Sequence, residues 1–170
     1  MKNQEFEQRI EKYLKRQFGI TITSASKRQV YEALMSTVRE KLSEKKFAYE
    51  QELKKTKQKR AYYMSMEFLV GRTLRNNLFN LGIEKETKEY LEKNNFNLDE
   101  IYDIEPDPGL GNGGLGRLAS CYLDALTSSD YPVTGFSILY EYGIFKQVIN
   151  NGWQQEFPDY WLDLGKYCLV

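Results

Sequence analysis

Apolar residues recur at every fourth position at the start of the chain. Phe6, Ile10, Leu14 and Phe18 share one side of a helix over residues 4–18, with charges between them. Gly19 supplies a stop, and Thr21-Ile22-Thr23 reads as a brief extended connection. A longer helix comes next. Ser26 with Gln29 fits a capping box, and Val30, Leu34, Val38 and Leu42 line one face, bordered by Ala33 and Thr37. Lys54 to Arg60 holds five basic residues in seven and reads as an exposed helix end or a loop.

The period then changes. Residues 61–70 are aromatic-rich and nearly uncharged, as a buried strand is, and Glu67 is the one acid among them. Gly71 ends that run. Thr73 caps a helix that continues through Leu81, and Gly82 closes it. Glu84 to Lys93 is a further amphipathic helix with Tyr90 and Leu91 inward, and Leu98 to Ile104 adds one helical turn. Glu105-Pro106-Asp107-Pro108 forces an extended, acidic approach to the glycine-rich residues 109–116. Leu115, Leu118, Ala119, Tyr122, Ala125 and Leu126 form one apolar face of a helix running to about Ser128, which Pro132 prevents from continuing. Val133 to Tyr140 is the next strand. Residues 144–150 and 153–157 flank Asn151-Gly152, a strong hairpin signal, and residues 158–165 read as a loop or short helix.

Composition narrows the reading. A chain of 170 residues with 41% hydrophobic and 14% aromatic residues makes one domain or slightly more, with a real core. Mean hydropathy is −0.62. No run approaches the ~18 apolar residues of a membrane span, and the N-terminus has no secretory apolar region. There is no histidine, which excludes a histidine base or metal ligand within this chain. Cys121 and Cys168 form no metal or redox spacing, so reduced thiols in the cytoplasm and no metal are expected. The zero net charge hides an asymmetry. Residues 1–60 carry 16 basic and 8 acidic side chains, and residues 61–170 carry 8 and 16. Acidic residues interleave with the basic ones throughout, so a solvated helical face is expected and not a nucleic-acid surface.

The candidate chemistry sits in Gly109-Leu110-Gly111-Asn112-Gly113-Gly114-Leu115-Gly116, five glycines in eight residues, with a helix opening at once. Glycine lets backbone approach a ligand closely, and a helix start offers unpaired N–H groups to an anion. The stretch matches G-x-G-x-x-G twice, from Gly109 and from Gly111. A dinucleotide fingerprint needs an apolar strand just before the glycines, and residues 101–108 hold two prolines amid acids instead. The nucleotide-binding reading fails on that context, and no Gly-Lys-Ser/Thr comes after it for a Walker loop. Glu67 has two readings: a partner for Arg72 or Arg117, or a polar group at the carboxyl end of a strand, where open α/β sheets place ligands.

Residues 109–120 resemble the glycine loop of the α-glucan (glycogen, starch or maltodextrin) phosphorylases. Residues 62–74, 140–145 (Tyr-Glu-Tyr-Gly-Ile-Phe) and 151–154 (Asn-Gly-Trp-Gln) resemble the family's neighbouring segments in register. The resemblance covers about residues 21–165. It implies an α/β fold of the glycosyltransferase-B type. Residues 1–60 would be an N-terminal helical segment, and residues 61–170 the first part of an N-terminal Rossmann-like domain, incomplete in this chain. It implies phosphorolysis of α-1,4-glucan by inorganic phosphate to α-glucose 1-phosphate, with pyridoxal 5′-phosphate as cofactor and a homodimer as the assembly. Carried over residue by residue, it puts Gly113, Gly114, Leu115 and Gly116 at the glucose and phosphate subsites. It puts Asn112 near the cofactor ring, Glu67 on the floor of the site in a catalytic role, and Arg117 in a structural one. The cofactor's lysine lies outside this chain, so the chain alone is expected to be inactive. The alternative is a non-catalytic module that docks on full-length phosphorylase or on glucan. Lys54 stands about where regulated animal members carry a nucleotide-stacking tyrosine, and their phosphorylated serine segment has no counterpart. An unregulated bacterial type is therefore expected.

Overall fold

Two N-terminal helices lay down the main core. The computed structural model describes residues 2–165. Helix α1 (Lys2–Phe18) buries Phe6, Ile10 and Leu14, the stripe expected from their spacing. A 3-10 turn over Ile22–Ser24 replaces the expected extended connection, because Ile22 turns inward and its carbonyl accepts from Ala25. Helix α2 (Lys27–Thr56) starts at the capping box: the Ser26 N–H donates to Gln29 Oε1 at 2.8 Å, and the Gln29 N–H donates back to Ser26 Oγ at 3.3 Å. Val30, Leu34 and Val38 are buried and Leu42 partly so.

Contacts divide the chain into two compact units. Of the described residues, one comprises 2–46, 72–106 and 164–165, and the other 47–71 and 107–163. In the first, α3 (Leu74–Leu81), α4 (Glu84–Lys93) and α5 (Leu98–Tyr102) add Leu74, Leu78, Leu91, Leu98 and Ile101 to the core of α1 and α2. Each fully buried side chain of this kind is worth about 1.5–3 kcal/mol of transfer free energy. Gly82 ends α3 at φ 68°, a left-handed cap suited to glycine. The start of α3 differs from expectation. Thr73 makes no side-chain cap. The buried Glu105 carboxylate instead holds the residues one step earlier, accepting from the Thr73 N–H at 2.7 Å, Thr73 Oγ1 at 2.8 Å and the Leu74 N–H at 2.9 Å.

The second unit carries the strands. Strand β1 (Ala61–Met64) pairs in parallel with β2 (Val133–Phe136) in register Ala61↔Val133 to Met64↔Phe136. Both are shorter than the runs 61–70 and 133–140. The Ser65 N–H still donates to the Phe136 carbonyl of β2, but farther on the amides turn to the glycine loop: the Phe68 N–H donates to the Leu110 carbonyl and the Leu69 N–H to the Gly116 carbonyl. The expected burial of β1 is also corrected. Tyr62 and Met64 are exposed, and only Tyr63 is half-buried, edge-on to Phe68 and Tyr122. A parallel strand of this composition is usually covered on both faces. Among the described residues β1 has a single neighbouring strand.

Helix α6 (Gly114–Ser128) ends where expected, but of the expected apolar face only Ala119 is fully buried. Gly116, Ala119 and Ser120 are inside, while Leu115, Leu118 and Tyr122 are exposed. The small residues face inward because the helix packs close: a Cβ on Gly116 would stand 3.1 Å from Glu67 Cβ, and one on Gly135 of β2 would stand 2.9 Å from Leu123 Cδ1. Strands β3 (Gly143–Asn150) and β4 (Trp153–Asp159) form the antiparallel hairpin, turning through Asn151 at φ 50° and Gly152 at φ 80°. A short α7 (Leu162–Gly165) comes after β4. Cys121 is exposed, and Cys168 lies outside the described residues.

Candidate functional site

The glycine loop is held at several points within its own unit. The Ile144 N–H donates to the Gly109 carbonyl at 2.7 Å, and the two amides from Phe68 and Leu69 fix Leu110 and Gly116. On the other side, Tyr140 Oη and Ser137 Oγ donate to the Met66 carbonyl at 3.0 and 3.3 Å. Ser65 Oγ donates to the Glu67 carbonyl at 2.8 Å and accepts from the Glu67 N–H at 3.2 Å. Trp161 Nε1 donates to the Tyr140 carbonyl at 3.1 Å. These bonds bring two stretches 45 residues apart, around Glu67 and Asn112, into direct contact.

Glu67 meets Asn112 through both oxygens. Oε2 accepts the Asn112 backbone N–H at 3.0 Å, and Oε1 accepts Asn112 Nδ2 at 2.8 Å. Those two bonds, the side-chain one foremost, hold the Glu67 carboxyl below the usual glutamate range. The arginine-partner reading of Glu67 is therefore corrected. Arg72 pairs with Asp103 at 2.9 Å, and Arg117 reaches only toward the Leu69 carbonyl at 3.5 Å. An amide with two donors in one place satisfies the acid better than a distant guanidinium.

The helix start beside this pair is open. Gly113 precedes α6 in an extended conformation with no side-chain cap, and the Arg117 N–H closes the first turn on its carbonyl. Among the described residues, the N–H groups of Gly114, Leu115 and Gly116 meet no acceptor. They carry the positive end of a 15-residue helix, worth about half a unit charge. A Cβ at Gly113 or Gly114 would meet nothing within 4 Å, and the Leu115 side chain is 79% exposed. Gly116 alone of the expected subsite residues is closed in, against Glu67 and Gly111. Behind the loop lies a cavity of about 200 Å³ lined by Glu67, Leu110, Asn112, Tyr140, Tyr142 and Ile144. The neighbouring Glu141 charge pushes the Tyr142 phenol up. These tyrosines are not among the expected site residues, although they stand in the segment 140–145 that resembles the phosphorylases. Among the described residues no group of three metal-binding side chains occurs.

Residues 91–169 match the carbohydrate phosphorylase family. The chain is 47% identical to the glycogen phosphorylase of Chlamydia pneumoniae over 142 residues, which are 84% of this chain and 17% of that protein. It is 45% identical to the brain form of Bos taurus and 44% to the liver form of Homo sapiens, in each case over 83% of this chain and 17% of the relative. These matches support a fragment of a carbohydrate phosphorylase. As phosphorylase sequence it spans under a fifth of the length of the curated relatives it matches. Its helices and small sheets make an α/β segment of such a protein. No helix among the described residues is long and apolar enough to cross a membrane.

Proposed function

We propose that this chain is the N-terminal part of an α-glucan phosphorylase of the glycosyltransferase-B type, cytoplasmic and dimeric in its whole form. The whole protein cleaves α-1,4-glucan with inorganic phosphate to release α-glucose 1-phosphate. In that fold, residues 1–60 are the N-terminal helical segment and residues 61–170 open the first Rossmann-like domain. One observation carries the reading. The N-terminus of α6 is open, free of side chains at Gly113 and Gly114, and pinned by the Glu67–Asn112 contact.

Phosphorolysis needs an anionic phosphate held beside a sugar that develops positive charge. Fixed N–H donors meet that need without reorganising at the moment of reaction. The backbone of Gly114 and Leu115 supplies such donors here, and the space about Gly113 and Gly114 is open, with no protein atom within 4 Å of a Cβ at either. Pyridoxal 5′-phosphate, when bound, supplies a phosphate that acts on the substrate phosphate. The donor set fits one edge of that group: Asn112 is exposed, and its Oδ1 has no partner among the described residues. Glu67 reaches Asn112 and not open space, so its part is to hold the loop.

The test is a transplant. Residues 21–165 replace the matching segment of full-length Chlamydia pneumoniae glycogen phosphorylase. The chimaera is expected to release glucose 1-phosphate from maltodextrin and phosphate, and Gly114→Val in it is expected to abolish release. A folded chimaera that binds pyridoxal phosphate yet releases none overturns the proposal. The chain alone, with cofactor added, is expected to give no product.

A further inference from the structure

The loop glycines differ in what surrounds them. A Cβ on Gly116 would stand 3.1 Å from Glu67 Cβ and 3.2 Å from Oε2, and one on Gly111 would stand 3.1 Å from Leu69 Cβ and 3.5 Å from Glu67 Oε2. Gly111 and Gly116 thus form a slot that the Glu67 side chain fills. At the head of the slot the carboxylate meets Asn112 twice.

The chemistry of the two groups fixes their orientation. An ionised carboxylate only accepts, whereas a primary amide donates from nitrogen and accepts at oxygen. With Oε2 taken by the Asn112 backbone N–H, Oε1 has the side-chain amide in front of it. Only Nδ2 satisfies that oxygen; the reversed amide would set a carbonyl against a carboxylate. Oδ1 is then the group left for the exposed side.

We propose that Glu67 is a positioning residue that sets the hydrogen-bond polarity of Asn112, so that this edge of the site takes a hydroxyl or another N–H or O–H donor and rejects an oxyanion. The proposal rests on reading the loop as one wall of a ligand site, but its test needs no ligand. Glu67→Gln keeps the shape of the side chain and removes one acceptor. The Asn112 backbone N–H is a fixed donor and claims the remaining oxygen. The glutamine NH₂ then faces the Asn112 amide, which turns over, brings Oδ1 inward and presents Nδ2 to solvent. The edge changes from acceptor to donor.

The measurement is hydrogen exchange by NMR on the full chain labelled with ¹⁵N, at the backbone and side-chain amides of Asn112. Asn76, exposed on α3, is the internal reference. In the wild type the Asn112 Nδ2 protons are expected to exchange about tenfold more slowly than those of Asn76, the effect of one charge-assisted bond. Glu67→Gln is expected to bring them to the Asn76 rate while the Asn112 backbone amide stays protected. Glu67→Ala is expected to release both. A purely structural Glu67 moves the two protections together in the glutamine variant, and that result overturns the proposal. So does a wild-type Asn112 side chain exchanging as fast as Asn76, which decides the matter even if the glutamine variant does not fold. An inactive chimaera with these amide results intact would remove the phosphorylase reading and leave the polarity of Asn112 standing.

Discussion

Replacing Glu105 by alanine is expected to loosen helix α3 more than any surface change in this chain. The carboxylate is 3% exposed and accepts from the Thr73 N–H, the Thr73 hydroxyl and the Leu74 N–H. Leu74 is fully buried, so its amide cannot turn to water. A buried donor left unmet costs about 1–3 kcal/mol. Losing the acceptor at a helix start adds about 1 kcal/mol. Thr73 is half-buried, and water can replace part of its two bonds. The sum is about 3 kcal/mol, which at 1.4 kcal/mol per decade is about a hundredfold in the opening equilibrium of α3.

Native-state hydrogen exchange reads that equilibrium locally, so it does not require the two compact units to unfold together. The amide of Asn77, which donates to the Thr73 carbonyl at 2.9 Å, reports the first turn of α3. Its exchange is expected to accelerate about a hundredfold in Glu105→Ala and about tenfold in Glu105→Gln, which keeps one acceptor oxygen. The Arg117 amide, in the first turn of α6, serves as the control and is expected to hold its rate. An acceleration of Asn77 below about threefold in the alanine variant would refute the assignment of Glu105 as the group that holds the start of α3.

The geometry carries three further expected outcomes. Gly116→Ala is expected to cost about 1–3 kcal/mol through collision with Glu67, and Gly113→Ala to stay within about 0.5 kcal/mol; equal shifts in Asn112 backbone exchange would contradict the slot. Because the Asn112 bonds depress the Glu67 pKa, its contribution is present above the unfolded glutamate value and is lost as pH falls through the lower folded one. An acid titration of the Asn112 amide shift should therefore break below the ordinary glutamate range, and a midpoint at or above it would count against the contact. At the alkaline end, burial first and then Glu11 raise the Tyr90 phenol, and burial first and then Glu84 raise Tyr102. Their contribution is complete below the unfolded tyrosine value and lost as pH rises past it, so Tyr90→Phe should remove one late step from the ultraviolet phenolate titration; an unchanged late phase would contradict the Tyr90–Glu11 contact.

What the sequence discloses is what short-range physics controls. The stripe Phe6, Ile10, Leu14 sets the buried side of α1, Ser26 with Gln29 marks the start of α2, and Asn151-Gly152 sets the hairpin turn. Each of these rests on residues a few positions apart. The failures lie where a distant group takes over a local one. Thr73 has the right chemistry for a helix cap, but Glu105, 32 positions on, takes the Thr73 hydroxyl itself together with the Thr73 and Leu74 N–H groups. The run 61–70 has the composition of one continuous strand, yet the Phe68 and Leu69 amides are claimed by Leu110 and Gly116. The large apolar residues of α6 point to one buried face, whereas the close approach to Glu67 needs the face with small ones. Of the site, Glu67 and Asn112 are each visible as candidates, but their contact across 45 positions is not.

The count of glycines in the loop overstates how much of it faces a ligand. Gly116 is small for the sake of Glu67 and Gly111 first for that of Leu69, and the Gly109 carbonyl is taken by the Ile144 amide. That leaves Gly113 and Gly114 as the pair open to the exterior. The two overlapping G-x-G-x-x-G matches each mix glycines of both kinds, so neither register describes one function. A dinucleotide loop spends its glycines on a turn, on approach to pyrophosphate and on helix–strand packing. Here the packing partner is an acid, and both its oxygens are occupied by the donors of the neighbouring Asn112. The arrangement therefore gives a helix start whose N–H groups are bare, beside a carboxylate that its own hydrogen bonds keep ionised. Both Glu67 oxygens are occupied by the Asn112 donors and not by the N–H groups of Gly114 and Leu115, so those groups and the helix dipole are left for an anion, a condition that an acid capping the helix at the same place would not allow.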